Sequence, residues 1–483
     1  MLIRNVEIFG CGPLDVRTDN GLIVDVADAL DVGRETDVLD GRGAALLPGL
    51  HDHHIHLFAL AAAEHSLACG PPHVETADEL ARAVHAAAEQ KRTEQRASTA
   101  ARAASGTNEH WLRGIGYHES VAGNLDRLVL DRWITELPLR IQHRSGIAWF
   151  LNSAAIDRLG LDEGVDAPGV ERDSAGRATG RLFRCDDLLR ERLGQGAAPS
   201  LVNVSKRLSS FGVTGVTDAS AHNGASEAAA FAAAIERGEL VQHLYLMGGD
   251  ELDRRHGEGF RILHRKIVLD EASLPALAEL IETIASAHRH RRAVAIHCVT
   301  RTELVLACAA LEAAGAGAQD RVEHASVAPP EVVELLAMTC ATVVTQPAFV
   351  YERGDRYLSD VEPDARPWLY RLAGFLSAGI ALGTGTDAPF ADPDPWRAIA
   401  AAVSRRTRAG RTFGEAERLT PEQALAAFTS SALSPGAAPR TVERGQPADL
   451  CLLDRPWHEA RLSLSSEMVR ATVCRGRCVW VRD

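Results

Sequence analysis

The residues best suited to chemistry are four histidines, a lysine and an aspartate, each closing a short apolar run. In chain order they are His54, His56, Lys266, His297, His324 and Asp387. If the runs are parallel strands, their carboxyl ends meet at one edge, and we expect the six side chains to converge there. Neutral imidazoles with a carboxylate form a ligand set for a divalent metal ion, and zinc is the favoured ion.

His54 and His56 are separated by one residue, so in a strand both rings face the same side, which Asp52 shares. Such a pair supplies two nitrogen ligands to one metal ion. Taken alone, it also fits an incidental histidine-rich strand end. The two later strand-end histidines favour the metal interpretation.

Lys266 is the unusual member of the set, because an ammonium group cannot ligate a metal and repels one. At a metal site it must lose its proton, or be carbamylated by carbon dioxide or bicarbonate to give an oxygen ligand. The alternative is an ordinary lysine paired with Asp270 or Glu271. Asp387 can serve as a ligand and proton acceptor, or alternatively as the N-cap of the following helix.

Short apolar runs that alternate with helical segments must position these residues. Eight strands are predicted: one ends at His56, and the others cover 212–218, 241–246, 265–270, 293–297, 321–324, 341–346 and 380–387. Helices between them are predicted at 274–288, 302–314 and 330–338. The pattern predicts an α/β fold, a (β/α)8 TIM barrel with its active site at the carboxyl ends of the strands.

The stretch between the first and second strands, residues 60–210, is far too long for a single crossover connection. We therefore expect a long insertion after strand 1 that serves as a lid. Within it, 81–104 is predicted to be helical, and 111–117 and 139–143 to be strands. Glycine- and aspartate-rich turns around 160–180 indicate a loop.

The two ends of the chain alternate as short strands, and neither end can bury both faces of its own sheet. Residues 1–45 and 425–483 are therefore predicted to form one small composite β-sandwich. The barrel, with its insertion, would span 46–424.

Composition limits the partners of this chain. Its 483 residues carry a formal net charge of −13 without a basic block, which disfavours nucleic acid and anionic membranes. The sequence contains no signal-peptide pattern and no apolar stretch long enough to span a bilayer. Nine scattered cysteines fit reduced thiols. We expect a cytoplasmic enzyme with a small-molecule substrate, and a homo-oligomer is compatible with these features.

Residues 48–56, Pro-Gly-Leu-His-Asp-His-His-Ile-His, resemble the first-strand signature Pro-Gly-x-x-Asp-x-His-x-His of the amidohydrolase superfamily. Other stretches resemble its type-3 branch, which contains N-substituted formamide deformylases. They lie at 111–116, 152–155, 212–218, 266–270, 386–389 and 445–450. The resemblance covers nearly the whole chain.

The resemblance gives all six residues named first a metal-binding role. The two histidines nearest the N-terminus would hold one ion together with Asp387, which would also act as general base. The two later histidines would hold a second ion, and a carbamylated Lys266 would bridge the pair. The implied reaction is attack of a metal-activated hydroxide on the C–N bond of a small amide, formamide or cyclic amide.

The chain departs from the branch at two positions in the insertion. Ile147 follows Ser145-Gly146 where an imidazole is common, and Arg184 follows Thr179-Gly180 where an acidic residue is common. Both changes suggest an altered pocket, suited to a substrate with an anionic group. Candidate substrate contacts are His143, Asn152, Arg184 and Gln346. His143, Asn152 and Gln346 also each fit a satisfied strand-end or turn residue.

Two other functions are compatible with the pattern. The first is a heterocycle deaminase with one metal ion, but such relatives carry a glutamate three residues after the fifth-strand histidine, and here Thr300 stands there. The second is a catalytically silent binding protein that keeps the barrel. The complete ligand set argues against this second function, whereas Ile147 and Arg184 keep it open.

Overall fold

A computed structural model describes residues 1–33, 37–98, 111–162, 167–194, 196, 198–252 and 259–482. The chain forms two compact units. The first comprises Met1–Leu57 and Ser200–Asp483, and the second comprises Phe58–Pro199. The domain boundaries and the lid expected from the sequence stay predictions.

The described strands, in chain order, are β1 (Leu2–Ile8), β2 (Cys11–Asp19), β3 (Leu22–Ala27), β4 (Val38–Asp40), β5 (Leu46–Pro48), β6 (Leu50–Ile55), β7 (Leu67–Ala68), β8 (Leu112–Tyr117), β9 (Leu139–His143), β10 (Ala148–Leu151), β11 (Val170–Arg172), β12 (Ala178–Phe183), β13 (Val213–Asp218), β14 (His243–Gly248), β15 (Arg261–Val268), β16 (Val294–Cys298), β17 (Arg321–His324), β18 (Thr342–Thr345), β19 (Leu382–Thr384), β20 (Leu450–Leu453), β21 (Val469–Cys474) and β22 (Arg477–Val481).

The described α-helices are α1 (Leu57–Glu64), α2 (Ala77–Ser98), α3 (Glu119–Ala122), α4 (Arg127–Asp131), α5 (Ser153–Leu159), α6 (Asp186–Leu193), α7 (Val202–Ser210), α8 (Ala225–Glu236), α9 (Leu277–Arg289), α10 (Arg301–Ala314), α11 (Pro330–Met338), α12 (Ala348–Asp360), α13 (Ala373–Ser377), α14 (Pro395–Ser404), α15 (Pro421–Thr429) and α16 (Trp457–Ala460).

An eight-stranded parallel sheet forms the centre of the first unit, in the order β6-β13-β14-β15-β16-β17-β18-β19. Strands such as β13 and β18 are buried along their whole length, as parallel strands covered on both faces must be. The backbone N–H of Asp387 donates to the carbonyl of His54 at 2.7 Å, and that of His56 donates to the carbonyl of Ala388 at 2.9 Å. These bonds join the first and last strands, so the predicted TIM barrel is confirmed.

The helices between barrel strands follow the predicted pattern, and α10 shows why one begins where it does. The Thr300 side chain accepts from the backbone N–H of Glu303, whose carboxylate in turn accepts from the backbone of Thr300. This reciprocal cap starts a helix directly after β16. It therefore turns the chain immediately beyond His297 and leaves that side chain at the strand end.

Both chain ends contribute to a second pair of sheets in the first unit. The order is β3-β2-β1-β4 in one sheet and β22-β21-β20-β5 in the other. They share an apolar core that includes Ile3, Val6, Val16, Leu450 and Val473. The predicted sandwich of both termini is present, because each sheet buries the apolar face of the other.

The second unit is built on a six-stranded sheet in the order β11-β12-β10-β9-β8-β7. The strands predicted at 111–117 and 139–143 correspond to β8 and β9. The helix predicted at 81–104 falls in α2 as far as Ser98, and the rest lies outside the described residues. The turn-rich stretch near 160–180 includes β11 and the start of β12, which pair as a hairpin. Among the described residues, none of the helices has the length and apolarity needed to cross a bilayer.

Candidate metal centre

Asp387 lies among three of the predicted histidines at the carboxyl ends of the barrel strands. Its Oδ1 is 3.1 Å from Nε2 of His56 and 3.5 Å from Nε2 of His54. Its Oδ2 is 4.0 Å from Nδ1 of His324. One possible ligand atom from each of His54, His324 and Asp387 lies within 4.8 Å of the others. This spacing is compact enough for the three groups to share a metal ion.

His297 and Lys266 complete the cluster. The ring centroids of His297 and His324 are 4.3 Å apart, and those of His54 and His324 are 4.8 Å apart. Lys266 lies on β15, which pairs with the strand that carries His297. Its charge acts on His54, His297 and Asp387. The structure therefore brings all six predicted residues together.

Lys266 has no ordinary ion pair in the described part of the chain. Its Nζ is buried and has no hydrogen-bond partner there. Asp270, the alternative partner, accepts a hydrogen bond from the backbone of Ala272, and Glu271 accepts one from Thr302. Burial, the largest cause, lowers the pKa of Lys266 from 10.5. A buried amine of this kind is easier to deprotonate, which is the state that carbamylation requires.

Burial lowers the pKa of His54, His297 and His324, which favours the neutral form that ligates metals. Burial first, and then the positive charge of Lys266, lowers the pKa of His54 to about 4. Burial, followed by the effect of His54, lowers the pKa of His324 to about 3. Burial raises the pKa of Asp387, but the neighbouring His54 and His56 outweigh it and hold that pKa well below its ordinary value. The cluster thus offers neutral nitrogens and an ionised carboxylate.

The chain reaches Asp387 through a glycine that lies against the first strand. A Cβ on Gly385 would lie 2.5 Å from the backbone nitrogen of His54 and 2.9 Å from Asp52 Oδ1. Asp52 accepts from the backbone N–H of His54 and from both the N–H and the hydroxyl of Thr386. Asp52 therefore joins the first barrel strand to the segment that follows the last one, and only glycine at position 385 leaves room for this contact.

Two of the candidate ligands have left-handed backbones. His324 has φ +70° and Asp387 has φ +58°. Such conformations strain residues other than glycine and are concentrated at functional sites. Asp387 is not the N-cap of the next helix, because α14 begins at Pro395 and its cap is Asp394. The alternative interpretation of Asp387 is thereby excluded.

Three further residues contact the second ring nitrogen of His54, His56 and His324. The sequence did not reveal this role. Glu323 Oε2 lies 2.5 Å from Nδ1 of His54, and Ser220 Oγ lies 2.8 Å from Nδ1 of His56. Gln346 Oε1 lies 2.7 Å from Nδ1 of His324. Gln346, expected to contact substrate, is fully buried and instead contacts the ring of His324, a candidate ligand.

Glu323 is itself part of a buried ion pair. Its Oε1 accepts from Nε of Arg321 at 2.6 Å, and its Oε2 accepts from Nη2 at 3.2 Å. Burial raises the pKa of Glu323, but the charges of Arg321 and Lys266 outweigh it and hold the pKa well below its usual range. Two charged residues within the buried strand Arg-Val-Glu-His were the sequence signal that could have revealed this pair.

Asn152, a second expected substrate contact, is a structural residue of the second unit. Its side-chain oxygen accepts from the backbone of Leu139 and Ala155, and its amide donates to the carbonyls of Ile134 and Leu137. It is fully buried. All donors and acceptors of the side chain are used, so none is left for a substrate. The predicted substrate contact of Asn152 is therefore wrong, and Asn152 instead caps α5.

The other two expected contacts also lie in the second unit. His143 Nδ1 is 2.7 Å from Ser145 Oγ, and its Nε2 is 3.3 Å from Glu119 Oε2. Arg184 is exposed and has φ +55°, and its backbone N–H donates to the carbonyl of Ile147. Their contact with substrate stays a prediction.

A second group with metal-binding residue types lies away from the cluster. His243, Asp449 and Cys474 each place one possible ligand atom within 4.8 Å of the others. His243 begins β14, so this group is at the amino ends of the barrel strands. Nε2 of His243 is 2.9 Å from Asp449, and the guanidinium of Arg475 lies 3.5 Å from its Nδ1. Charge-bearing protein groups therefore face both nitrogens of this ring.

A sequence model described as the amidohydrolase family matches residues 37–480. The chain belongs to this family, in its type-3 branch. This amidohydrolase is 26% identical to N-substituted formamide deformylase from Arthrobacter pascens, over 87% of the chain and 85% of that protein. As a family member it is a metal-dependent hydrolase of carbon–nitrogen bonds.

Solved structures show the same fold. An uncharacterized metal-dependent hydrolase from Pyrococcus horikoshii OT3 superposes with a TM-score of 0.73 at 18% identity, covering 97% of this amidohydrolase and 99% of that chain. A metal-dependent hydrolase from Pyrococcus furiosus gives a TM-score of 0.70 at 20% identity, covering 94% and 98%.

Proposed function

We propose that this amidohydrolase cleaves the C–N bond of a small amide, formamide or cyclic amide, using one or two divalent metal ions. Zinc is the favoured ion for these ligands. His54, His56 and Asp387 would hold one ion. The remaining histidines would hold the other, and carbamylated Lys266 would lie between the two.

The burial of Lys266 is the observation that carries this proposal. Its Nζ lies without a hydrogen-bond partner among the described residues, beside neutral imidazoles. A buried cation left unpaired is costly, and a protein keeps one only where another group compensates it. A carbamate would replace the unpaired ammonium with an oxygen ligand. The cluster therefore fits a metal, because Lys266, whose buried Nζ has no hydrogen-bond partner among the described residues, is the residue that the proposed ligation would satisfy.

The metal ion and the residues around it would have separate roles in the hydrolysis. When bound, divalent metal would acidify a water molecule and polarise the substrate carbonyl. The ionised carboxylate of Asp387 would take the proton that the attacking water releases and give it to the leaving nitrogen. The products are then a carboxylic acid and an amine, so one water molecule is consumed and the proton is conserved. Asp52 and Gly385 keep Asp387 at His54 and His56 during the transfer.

Replacement of Lys266 by alanine tests the proposal. We expect loss of activity and of bound metal, with partial recovery when formate or another short carboxylate is added to fill the gap. Lys206→Ala, at an exposed position on α7, is the matched control and should behave as wild type. Full activity of K266A without added carboxylate, or metal well below one ion per chain in active wild-type enzyme, would contradict the proposal.

N-substituted formamides are the first compounds to assay, since that is the substrate class named for the Arthrobacter pascens relative. N-acyl amines, hydantoins and lactams follow, each with and without a carboxylate substituent because Arg184 is exposed. Release of ammonia from aminopurines or aminopyrimidines would favour the deaminase instead. No turnover of any compound by metal-loaded protein would favour a silent barrel.

A further inference from the structure

Glu323 lies between a fixed cation and a candidate metal ligand, inside the barrel. Both of its oxygens accept from Arg321, at 2.6 and 3.2 Å, and Oε2 is also 2.5 Å from Nδ1 of His54. Nη2 of Arg321 donates as well to the carbonyl of His53 at 2.7 Å. The side chains of His54, Arg321 and Glu323 are almost wholly buried. The pair is therefore attached to the first strand directly before His54.

The chemistry of this arrangement decides where the proton of His54 lies. A carboxylate whose two oxygens accept from a guanidinium is ionised and can only accept. Nδ1 of His54 must therefore carry the proton and donate it to Glu323. In the neutral ring Nε2 is then proton-free, and it is this nitrogen that lies 3.5 Å from Asp387 Oδ1. The nitrogen turned toward the cluster is thus the one able to ligate.

Among the described residues, two other cluster histidines, His56 and His324, lack a hydrogen-bond partner at Nδ1 that can only accept. Nδ1 of His56 meets the hydroxyl of Ser220, and Nδ1 of His324 meets the side-chain amide of Gln346. A hydroxyl can donate or accept, and an amide can present either its oxygen or its nitrogen. Of these three histidines, His54 is the one whose Nδ1 meets a carboxylate that is ion-paired with arginine.

We propose that Glu323, held by Arg321, is a positioning residue that keeps the proton of His54 on Nδ1 and presents a proton-free Nε2 for metal binding. The inference rests on the proposed function for the metal itself. Glu323 and Arg321 would set the proton position of His54 before a metal ion binds. Glu323 is not expected to touch the substrate.

Glu323→Gln reverses the expected proton position with little change in shape. Glutamine has one acceptor oxygen, and the charge of Arg321 should take it. The NH2 group would then face His54, whose Nδ1 would have to accept, so the proton would move to Nε2. Glu323→Asp retains the carboxylate and should retain the wild-type proton position. Glu417→Gln is the matched control, because Glu417 is also buried and paired with an arginine, Arg371, at 2.7 Å.

The experiment is nitrogen NMR of metal-free protein labelled with ¹⁵N-histidine, with the His54 signal identified by its absence in His54→Gln. We expect a proton on Nδ1 in wild type, E323D and E417Q, and on Nε2 in E323Q. Zinc affinity, measured by competition with a chelator, should fall about 10–100-fold in E323Q and remain unchanged in E417Q.

Two results would overturn the inference. One is a proton on Nε2 of His54 in wild type, which can be measured even if E323Q does not fold. The other is a folded E323Q with the wild-type proton position and zinc affinity. Wild type that binds no metal, yet carries the proton on Nδ1, would instead refute the proposed function. The two failures are therefore distinguishable.

Discussion

The two ends of the barrel each hold a carboxylate–histidine pair with an arginine nearby, and they differ in what faces the other ring nitrogen. At the carboxyl ends, His54 turns one nitrogen to Glu323 and the other toward Asp387. At the amino ends, His243 turns one nitrogen to Asp449 and the other to the guanidinium of Arg475.

The comparison teaches that residue types alone do not define a metal site. Each end contains three residues of metal-binding type within the same spacing. At the amino ends the arginine would repel an ion, and Asp449 also accepts from the backbone N–H of Arg475. At the carboxyl ends a buried cation, Lys266, lacks a partner in the described part of the chain. We therefore interpret the group at the amino ends as a structural junction and the group at the carboxyl ends as the reaction centre.

Asp387→Asn should produce the largest difference between the two ends. The amide cannot accept the proton of the attacking water, so we expect kcat to fall about 10²–10⁴-fold. Asp449→Asn, the equivalent change at the other end, should keep wild-type kcat. The measurement is steady-state hydrolysis by metal-loaded enzyme. Equal losses of kcat in the two variants would remove the distinction.

Asp449→Asn should instead affect stability. Burial raises the pKa of Asp449, but hydrogen bonding and charge from His243 outweigh it and lower the pKa from 3.8. A lowered carboxyl pKa stabilises the folded state above the unfolded pKa, and this contribution disappears as pH falls through the folded pKa. We expect the variant to lose about 1–3 kcal/mol of unfolding free energy at pH 7 and the difference to shrink below about pH 4.

Urea denaturation of both proteins from pH 7 down to the acid limit measures this difference. Metal content is determined in parallel, and D449N should bind as much zinc as wild type. A pH-independent loss would show that the charge of Asp449 is not the cause. A loss of bound metal would show that the amino-end group holds an ion after all.

Cys474 gives the smallest expected effect. Burial, the largest cause, raises the pKa of its thiol well above 9.0, so it should be almost wholly protonated and unreactive at neutral pH. The exposed cysteines are Cys11, Cys340 and Cys478. We expect a thiol reagent to label these three in folded protein and to leave Cys474 unmodified, with or without added zinc. Zinc-dependent labelling of Cys474 would indicate a thiolate ligand.

The pattern of apolar runs predicted the barrel strands and the six clustered residues, because a strand-end position and a residue type are both local properties. Asn152 shows the limit of prediction: the sequence left substrate contact and a turn role both open, and the fold places Asn152 at the cap of α5. Gln346 was placed correctly at a strand end. Its role depended on His324 of the neighbouring strand, which lies opposite it only in the folded sheet.

The sequence by itself determined which side chains exist, how they are spaced and at which strand ends they stand. Only the tertiary structure decided which nitrogen of each ring faces Asp387, and which ring faces a carboxylate, an amide or an arginine. The physical reason is that the proton of an imidazole goes to the nitrogen with the better acceptor beside it. For His54 that acceptor is Glu323, which folding brings next to it from a strand 269 positions further along the chain.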